Sequence, residues 1–492
     1  MAEGISAERP PPGAVSARRD TSPRAWRGRV WHALLKRHRW FAAVLAAGLV
    51  VRVVAVLGYR PALWFPDSYT YVITALRPRP DLVRPAGYSM FLKLLEPFHA
   101  FAVVTAVQHL LGLTAGVLVY VVARRLGAPA WASALASVPV LLDAYQVELE
   151  HLLVSDSLFT VLVLGAVCLC LRQRVTWRTA CAIGLLLAAA TLTRTVGLPL
   201  VAVVAAWLFA RRRFAAAGVM LVAAAVPVLA YGGWFYATYQ RVGLVGANGV
   251  FLYARTMAFA DCGLMKPPQD LSVLCDARPP AERPPSQDYI WRRDSPLVQL
   301  PGITFTKETD DLAGRFAMLA IRTQPLDYVV STLSELSRTF TVTRHVYPDQ
   351  EIYDLYEFPA VSPPPPTREA AVVGARFAEQ YERGPIGTEV VEPYAGWMRK
   401  YQDMVWMPGA GLLVILLVPP AIAAGRMMRR TPGHPLDPAV LLPWATAWTL
   451  LVIPALTAEF DYRYVLPAVP LAALAAALAV RGRIVPGRKP ST

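Results

Sequence analysis

The sequence predicts an all-α polytopic membrane protein with about ten transmembrane helices and a mainly helical, loop-rich domain outside the bilayer. Of its 492 residues, 55% are hydrophobic and only 17% are charged. The mean hydropathy is +0.39, which is too apolar for a soluble enzyme. The formal charge of +15 comes from short arginine clusters between apolar runs, with no continuous basic face. That pattern indicates membrane topology and argues against nucleic-acid binding.

The amino-terminal part predicts a tail followed by a retained first helix. Residues 1–40 are rich in Pro, Arg and Ser and show no hydrophobic period, so we expect a disordered, basic cytoplasmic tail. The apolar run 41–58 lacks a small-residue cleavage site, which favours a membrane helix over a cleaved signal peptide. Arg52 lies near its middle, and we interpret it as a snorkelling or bundle-facing side chain.

Further apolar runs divide the chain into a membrane module at 41–237 and carboxy-terminal membrane helices at 407–480. These runs lie at 101–123, 131–145, 152–171, 179–193, 196–210, 215–237, 407–425, 439–457 and 464–480. Arginine clusters fall in alternate loops, so the positive-inside rule predicts that both termini, including the tail 481–492, are cytoplasmic. We therefore expect a multi-pass protein of the plasma (inner) membrane.

This topology places several connections on the outer face, the largest being the segment 238–406. It is polar and proline-rich, and it is long enough to form an extracytoplasmic domain. Apolar residues at 310–321 and 326–340 have helical spacing and predict a hairpin packed on the membrane helices. Cys262 and Cys275 lie in an oxidising compartment, where both a disulfide and two free thiols remain open, and we take the disulfide as a hypothesis.

Acidic residues cluster in or beside the predicted outer loops, including the first outer loop at 59–100. They are Asp67, Glu148, Glu150, Asp156, Glu459 and Asp461. The sequence contains no Gly-rich phosphate loop, no His-Glu-x-x-His, no Gly-x-Ser-x-Gly and no Cys-x-x-Cys motif. Any chemistry must therefore use carboxylates and arginines at the outer face, with a divalent cation as a candidate and no certain cofactor.

Five short motifs resemble the GT-C glycosyltransferases, which use a lipid-phosphate sugar donor. They are Phe-Pro-Asp-Ser-Tyr at 65–69, Arg-Pro-Ala-Gly-Tyr at 84–88, His-Leu-Leu-Val-Ser-Asp-Ser-Leu-Phe at 151–159, Thr-Arg-Thr-Val-Gly-Leu-Pro at 193–199 and Tyr-Arg-Tyr-Val-Leu-Pro at 462–467. Protein O-mannosyltransferases and the lipid A aminoarabinose transferase belong to this superfamily. The resemblance covers about 41–237 and 439–480. The first loop departs from the protein mannosyltransferases, since it offers one Asp where they are similar but carry an Asp-Glu pair.

The resemblance implies transfer of a sugar from a polyprenyl-phosphate donor to an extracytoplasmic glycan, lipid or protein. A polyprenyl phosphate is a good leaving group, so the reaction needs cations for the phosphate and a base for the acceptor hydroxyl. We assign Asp67 as the general base. Arg194 and Arg463 are the candidates for the phosphate, although interfacial snorkelling would also account for each arginine.

The remaining candidates are substrate-binding residues and metal ligands. Arg84, Tyr88 and Glu459 are assigned to substrate binding. A second set could bind a divalent cation or orient the acceptor, and consists of Glu150, His151 and Asp156. For Asp156, a helix cap is the alternative.

Two other functional classes remain open: a membrane transporter or flippase, and a noncatalytic membrane scaffold. A transporter usually shows internal repeats and charged residues along a path through the bilayer. A scaffold would need no outer carboxylate cluster. A transferase should instead gather Asp67, Asp156, Arg194 and Arg463 around one outward cavity that lipid can reach.

Overall fold

The computed structural model describes residues 23–429 and 437–481, with side chains from His38 onward. Of the predicted tails at 1–40 and 481–492, residues 1–22 and 482–492 therefore lie outside the described residues. The first helix begins at Pro23, well before the predicted start at residue 41, and its backbone is non-helical at His38. Residues 23–37 thus form a helical extension that precedes the first apolar segment.

Helices of the amino-terminal half are joined by short connections, apart from the longer segment between the first and fourth helices. The elements are α1 (Pro23–Gly58), β1 (Tyr59–Arg60), α2 (Pro66–Leu76), α3 (Gly87–Leu95), a 3₁₀ turn (Glu96–Phe98), α4 (Phe101–Arg125), α5 (Ala130–Leu142), α6 (Ala144–His151), α7 (Asp156–Cys170), α8 (Trp177–Thr193), α9 (Gly197–Ala210) and α10 (Phe214–Tyr239).

The segment between α10 and the next long apolar helix is helical and rich in loops. Its elements are α11 (Asn248–Thr256), α12 (Cys262–Met265), α13 (Gln269–Ser272), a 3₁₀ turn (Pro280–Glu282), α14 (Asp288–Trp291), α15 (Lys307–Thr323), α16 (Pro325–Arg338), α17 (Gln350–Asp354), α18 (Glu369–Glu382), β2 (Glu389–Val390) and α19 (Tyr394–Met404). The carboxy-terminal elements are α20 (Gly409–Met428), α21 (Pro438–Thr457), α22 (Tyr462–Val465), a 3₁₀ turn (Leu466–Ala468) and α23 (Val469–Ala479).

Six helical segments of the described chain are long and apolar enough to cross a membrane. They are His38–Gly58, Phe101–Arg125, Phe214–Tyr239, Gly409–Met428, Pro438–Thr457 and Tyr462–Ala479. Four apolar helices are shorter, at 10–17 residues: Ala130–Leu142, Asp156–Cys170, Trp177–Thr193 and Gly197–Ala210. The polytopic all-α membrane architecture is as predicted, whereas the number of ten spans is not confirmed.

The main core lies between the apolar helices, with α23 at its centre. Nearly every residue of α23 is buried, and the helix packs against α4, α5, α20 and α21. Its sequence is mostly alanine and leucine, and small residues let neighbouring helix backbones approach closely. The last helix therefore holds both halves of the membrane bundle together.

The connection between α1 and α4 packs against the long segment that follows α10. Tyr59 pairs with Val390 in a two-stranded antiparallel sheet, and α2 packs against α18. Leu63 forms a parallel bridge with Leu152, which ties the same connection to the end of α6. These contacts gather three connections at one end of the bundle, which we call the loop face.

The predicted hairpin and the cysteine pair both lie in the segment after α10. The helices expected at 310–321 and 326–340 are present as α15 and α16, joined at Gln324. Cys262 and Cys275 form a disulfide beside a small core shared by α11 and α15. The disulfide closes a loop of two short helices, so this part of the segment is constrained.

Candidate functional site

Asp67 lies in the first turn of α2, where local sequence favours a helix start. Pro66 occupies the first helical position, which needs no backbone N–H donor. The backbone N–H of Phe65 donates to Ser68 Oγ at 3.0 Å and fixes this turn. Asp67 is only 6% exposed, and the helix amino terminus favours its negative charge.

Two arginines from distant parts of the chain hold the Asp67 carboxylate. Arg84 Nη2 donates to Oδ1, and Arg463 Nη1 donates to Oδ2 at 2.9 Å. Burial on its own raises the pKa of Asp67, but the charges and hydrogen bonds of Arg84 and Arg463 outweigh burial and hold this pKa well below its usual range. The carboxylate is therefore ionised throughout the physiological pH range.

Arg463 connects this ion pair to the segment after α10. Its Nε donates to Asp461 Oδ2 at 3.2 Å, and Asp461 also caps α22 by accepting from the backbone N–H of Arg463 at 3.1 Å. Tyr356 donates its hydroxyl proton to Asp461 Oδ1 at 2.7 Å. The guanidinium of Arg463 also lies 4.6 Å from the centre of the Phe65 ring. Arg463 is thus fixed by three connections of the loop face.

A second arginine–carboxylate pair lies beside the first. Arg194, between α8 and α9, donates through Nη1 to Asp156 Oδ1 at the first residue of α7. Asp156 Oδ2 is buried and has no hydrogen-bond partner among the described residues. Burial, followed by the nearby charge of Arg463, lowers the pKa of Arg194.

Tyr464 lies between the two arginines. The Arg194 guanidinium is 4.8 Å and the Arg463 guanidinium 5.4 Å from the centre of the Tyr464 ring. The structure therefore brings Asp67, Asp156, Arg194 and Arg463 together at the loop face. Their expected position around one cavity that lipid can reach stays a prediction.

Arg463 also lines a cavity whose empty space, open mouth included, is about 630 Å³. Two further arginines, Arg338 and Arg344, belong to its lining. The lining also includes apolar residues of the carboxy-terminal membrane helices: Leu412, Val465, Leu466 and Val469. A cavity lined by both arginines and apolar side chains fits an amphipathic anion.

Arg344 is a site residue that sequence reasoning missed. Its guanidinium lies 3.3 Å from the centre of the Tyr145 ring and 4.1 Å from that of Tyr462. Within the described chain, its Nε and Nη2 atoms are buried and have no hydrogen-bond partner. Arg344 follows α16 in an irregular segment, where no periodic pattern marks it. It offers two donors to a ligand in the cavity.

Glu148 also lines this cavity and carries a buried Oε1 atom that lacks a partner in the part of the chain that the structure describes. Burial raises the pKa of Glu148 well above its usual range, against the opposing charge of Arg344. Burial therefore favours the neutral form of this carboxyl group, which carries an O–H donor.

Two of the predicted substrate-binding residues lie away from the ion pairs. Tyr88 is fully buried, and its hydroxyl donates to Gln108 Oε1 at 2.7 Å. Gln108 in turn supports the end of α6 through the carbonyls of Glu150 and Leu152. The structure thus gives Tyr88 a packing role.

Glu459 lies on the other side of Phe460 from Arg463, near Glu335 and Tyr347. It accepts from the backbone N–H of Gln287 at 3.2 Å. Burial raises the pKa of Glu459 to about 8, and the charge of Glu335 adds to the shift. Its carboxyl group is therefore mainly protonated at neutral pH.

The predicted metal ligands do not form one ligand set. Glu150 is held by Arg52 through Nε at 2.7 Å and Nη2 at 2.8 Å, and His151 lies 2.6 Å from the carbonyl oxygen of Tyr59. Asp156 pairs instead with Arg194. Among the described residues, no group of three His, Cys, Asp or Glu side chains could hold a metal ion. These side chains are already engaged by cations and backbone groups.

Comparison with known proteins gives matches among solved structures only. No protein-family model and no curated protein matches the chain. The oligosaccharyltransferase of Archaeoglobus fulgidus, tethered to an acceptor peptide containing the NVT sequon, is similar at a TM-score of 0.43 and 12% identity, over 90% of this chain and 50% of that one. Archaeal AglB in complex with an inhibitory peptide and a dolichol-phosphate gives the same TM-score, identity and coverage.

A second neighbour is ArnT from Cupriavidus metallidurans bound to undecaprenyl phosphate. Its TM-score is 0.31 at 13% identity, over 89% of this chain and 77% of ArnT. The chain spans about half the length of the archaeal oligosaccharyltransferase.

Proposed function

We propose that this chain is an integral-membrane glycosyltransferase that moves a sugar from a polyprenyl-phosphate donor to an extracytoplasmic acceptor. The observation that carries the proposal is the position of Arg463. This arginine binds the Asp67 carboxylate at 2.9 Å and also lines the half-apolar cavity. Arg463 thus contacts both the candidate base and the candidate anion site.

The cavity suits the donor because its lining offers both arginines and apolar side chains, which match the two parts of such a molecule. Phosphate oxygens accept from Arg463 and from the unpartnered Nε and Nη2 atoms of Arg344. Leu412 and Val469 are among the apolar side chains, against which an isoprenoid chain excludes water. A narrower crevice shares Leu466 and Val469 with this cavity and continues its apolar lining.

In the proposed reaction, an acceptor hydroxyl attacks the anomeric carbon of the sugar. A bond forms between the acceptor oxygen and the anomeric carbon, and the bond to the phosphate oxygen breaks. The phosphate leaves with the bonding electron pair, and Arg463 and Arg194 stabilise its charge. Asp67 takes the proton of the acceptor hydroxyl. The products are a glycosylated acceptor and a polyprenyl phosphate.

Asp67 is a weak base while both arginines hold it, because the pKa of its carboxyl lies below the usual range. Donor binding changes this balance. A phosphate competes for the hydrogen bonds of Arg463, and each hydrogen bond that Asp67 loses raises its pKa. We therefore propose that the donor binds first and that its phosphate releases the base.

The same proposal places the loop face outside the plasma membrane and both termini in the cytoplasm. Arginine clusters in the opposite loops support this orientation, for example Arg211, Arg212 and Arg213 between α9 and α10. An acceptor glycan, lipid or protein would then reach Asp67 from the outer side. Labelling of single cysteines in 238–406 with a membrane-impermeant reagent tests the orientation, and protection of every site in intact cells would reverse it.

The activity is tested by incubating the purified protein with a panel of labelled polyprenyl-phosphate sugars. When an acceptor extract is present, we expect one of them to be consumed with release of polyprenyl phosphate, and the matching polyprenol-linked sugar without phosphate to remain intact. Consumption of none of the donors with any acceptor extract would contradict the proposal. Acceptor extracts of glycan, lipid and protein, added separately, identify the acceptor class.

A further inference from the structure

Helix α16 carries an apolar stripe that no other part of the described chain covers. The stripe consists of Leu326, Val329, Val330 and Leu333, whose exposed fractions are 78%, 52%, 65% and 59%. Their spacing of three, four and seven residues from the first places all four on one face of the helix. A continuous exposed stripe of this kind marks an interaction surface.

The opposite face of α16 packs against the end of α21. Tyr328 donates its hydroxyl proton to the carbonyl oxygen of Leu456 at 2.9 Å, and the backbone N–H of Phe460 donates to Glu335 at 2.8 Å. Thr332, between these two contacts, is buried. The apolar stripe therefore lies on the face of α16 that is turned away from α21.

The position of Phe340 fixes the depth of this helix. The Phe340 ring contacts the Trp448 ring at a centroid distance of 5.9 Å. Trp448 is the eleventh of the 20 residues of α21. A helix of that length extends about 30 Å, which matches the hydrocarbon core of a bilayer. The chain just beyond α16 therefore reaches the middle part of a membrane span.

Contacts with α20 place the same part of the chain beside the start of a second membrane span. The backbone N–H of Ala410, in the first turn of α20, donates to the carbonyl oxygen of Thr341 at 3.0 Å. A Cβ atom added at Gly409 would collide with the carbonyl of Thr339. The end of α16 is thus wedged between α20 and α21, both of which are long and apolar enough to span a membrane.

We infer that α16 is embedded in the outer leaflet of the bilayer, with Leu326, Val329, Val330 and Leu333 in contact with lipid. Because the chain at the end of α16 contacts α20 and α21, both of which can span a membrane, the bilayer is the partner of the stripe. Amphipathic helices at the membrane surface bury their apolar face in this way. This inference depends on the membrane architecture and not on the proposed glycosyl transfer.

The placement has a consequence for the cavity. Arg338 and Thr339, at the end of α16, line the cavity together with Arg344. If α16 lies in the leaflet, these arginines lie at the depth of lipid headgroups and acyl chains. A lipid-linked anion could then enter laterally from the bilayer, and this last step does rest on the proposed function.

Nitroxide scanning of the protein in liposomes tests the inference. The free cysteines Cys168, Cys170 and Cys181 are replaced by alanine, and a spin label is attached in turn to V330C and V329C. The measured quantity is the ratio of collision rates with oxygen, which concentrates in lipid, and with a water-soluble nickel chelate. Controls are L229C on the exposed face of α10 and E308C at the start of α15 in the same hairpin.

We expect the oxygen-to-nickel ratio at positions 329 and 330 to match that at 229 and to exceed that at 308 several-fold. A ratio equal to that at 308 would show that water covers the stripe and would overturn the inference. Low collision rates with both reagents would show that protein covers it, which would also overturn the inference. Because two positions are labelled, the test still gives a result if one of the two variants does not fold.

Discussion

Two arginine–carboxylate pairs of this protein differ in how completely they are satisfied. Glu150 accepts from two nitrogens of Arg52 and from Gln146, and it lies 3.0 Å from a ring nitrogen of His109. The side chains of Arg52 and Glu150 are 2% and 0% exposed. The side chains of Asp67 and Arg463 are 9% and 11% exposed, and Arg463 lines the cavity.

The remaining donors reinforce this contrast. Arg52 Nη1 donates to the carbonyl oxygens of Gly48 and Leu141, so each nitrogen of this guanidinium has an acceptor. In contrast, Arg344, which shares the cavity with Arg463, and Asp156 of the neighbouring ion pair carry buried polar atoms that have no partner in the described chain. Complete satisfaction indicates a structural role for the Arg52 pair, whereas unused donors and acceptors indicate a ligand site around Asp67.

The largest expected effect concerns stability and belongs to the Arg52 pair. Arg52→Ala leaves the Glu150 carboxylate buried without its cation, so we expect a loss of about 3–5 kcal/mol in the free energy of unfolding. Denaturant unfolding in detergent measures it. The matched control combines Arg52→Met with Glu150→Gln, which removes both charges and should cost much less. Equal losses in the two variants would contradict a charge-pair role.

Asp67→Asn should affect mainly turnover. Its loss of stability should be smaller than that of Arg52→Ala, because the side chains of Arg84 and Arg463 are 18% and 11% exposed and can be solvated. The amide is nearly isosteric with the carboxylate but cannot take a proton, so we expect turnover to fall by at least roughly a hundredfold. Asp81→Asn is the control, because Asp81 lies in the same connection and its Oδ1 accepts from the backbone N–H groups of Val83 and Arg84, a contact that asparagine retains. Normal turnover in Asp67→Asn would direct the search for the base to other carboxylates.

Arg463→Ala should weaken donor binding. The variant loses a charged hydrogen-bond donor to the phosphate, which corresponds to about 1.5–3 kcal/mol of binding free energy. Arg463→Lys should restore only part of it, because an ammonium group keeps the charge but loses the planar fork. Binding of polyprenyl phosphate, measured by calorimetry, provides the values. Full restoration by lysine would show that only charge matters at this position.

The most gradual effect is a pH dependence of stability that involves Glu459. The pKa of Glu459 is raised to about 8 in the folded protein, above its unfolded value, so the folded state binds the proton more tightly. This contribution is present at low pH and is lost as pH rises toward 8, by at most about 1.4 kcal/mol per pH unit. Glu459→Gln should reduce the slope of stability against pH between 5 and 8. An unchanged slope would contradict the assignment.

The contrast between the two pairs also shows what sequence could predict. Apolar runs and alternating arginine clusters predicted the membrane helices and the grouping of Asp67, Arg194 and Arg463, because connections on the same face of a bundle must lie close together. The same reasoning could not separate Glu150 from Asp67. Both are acidic residues beside a predicted outer loop, and only the fold places Arg52 against one of them.

Other features depend on packing between distant segments. Arg344 enters the cavity because α16 brings it to Tyr145 and Tyr462, and no local pattern encodes that contact. Tyr88 is close to the site in sequence, yet its burial against Gln108 gives it a structural role. Helical spacing predicted α16 itself, whereas its depth follows only from the contact between Phe340 and Trp448.

The central claim is that Asp67 and the donor phosphate compete for Arg463. The most direct measurement is the affinity of undecaprenyl phosphate for the unmodified protein and for Asp67→Asn at the same pH and ionic strength. Because the neutral amide no longer holds the arginine, we expect Asp67→Asn to bind at least about tenfold more tightly, and we expect Arg463→Ala to abolish this gain in the double variant. Equal or weaker binding by Asp67→Asn would contradict the claim.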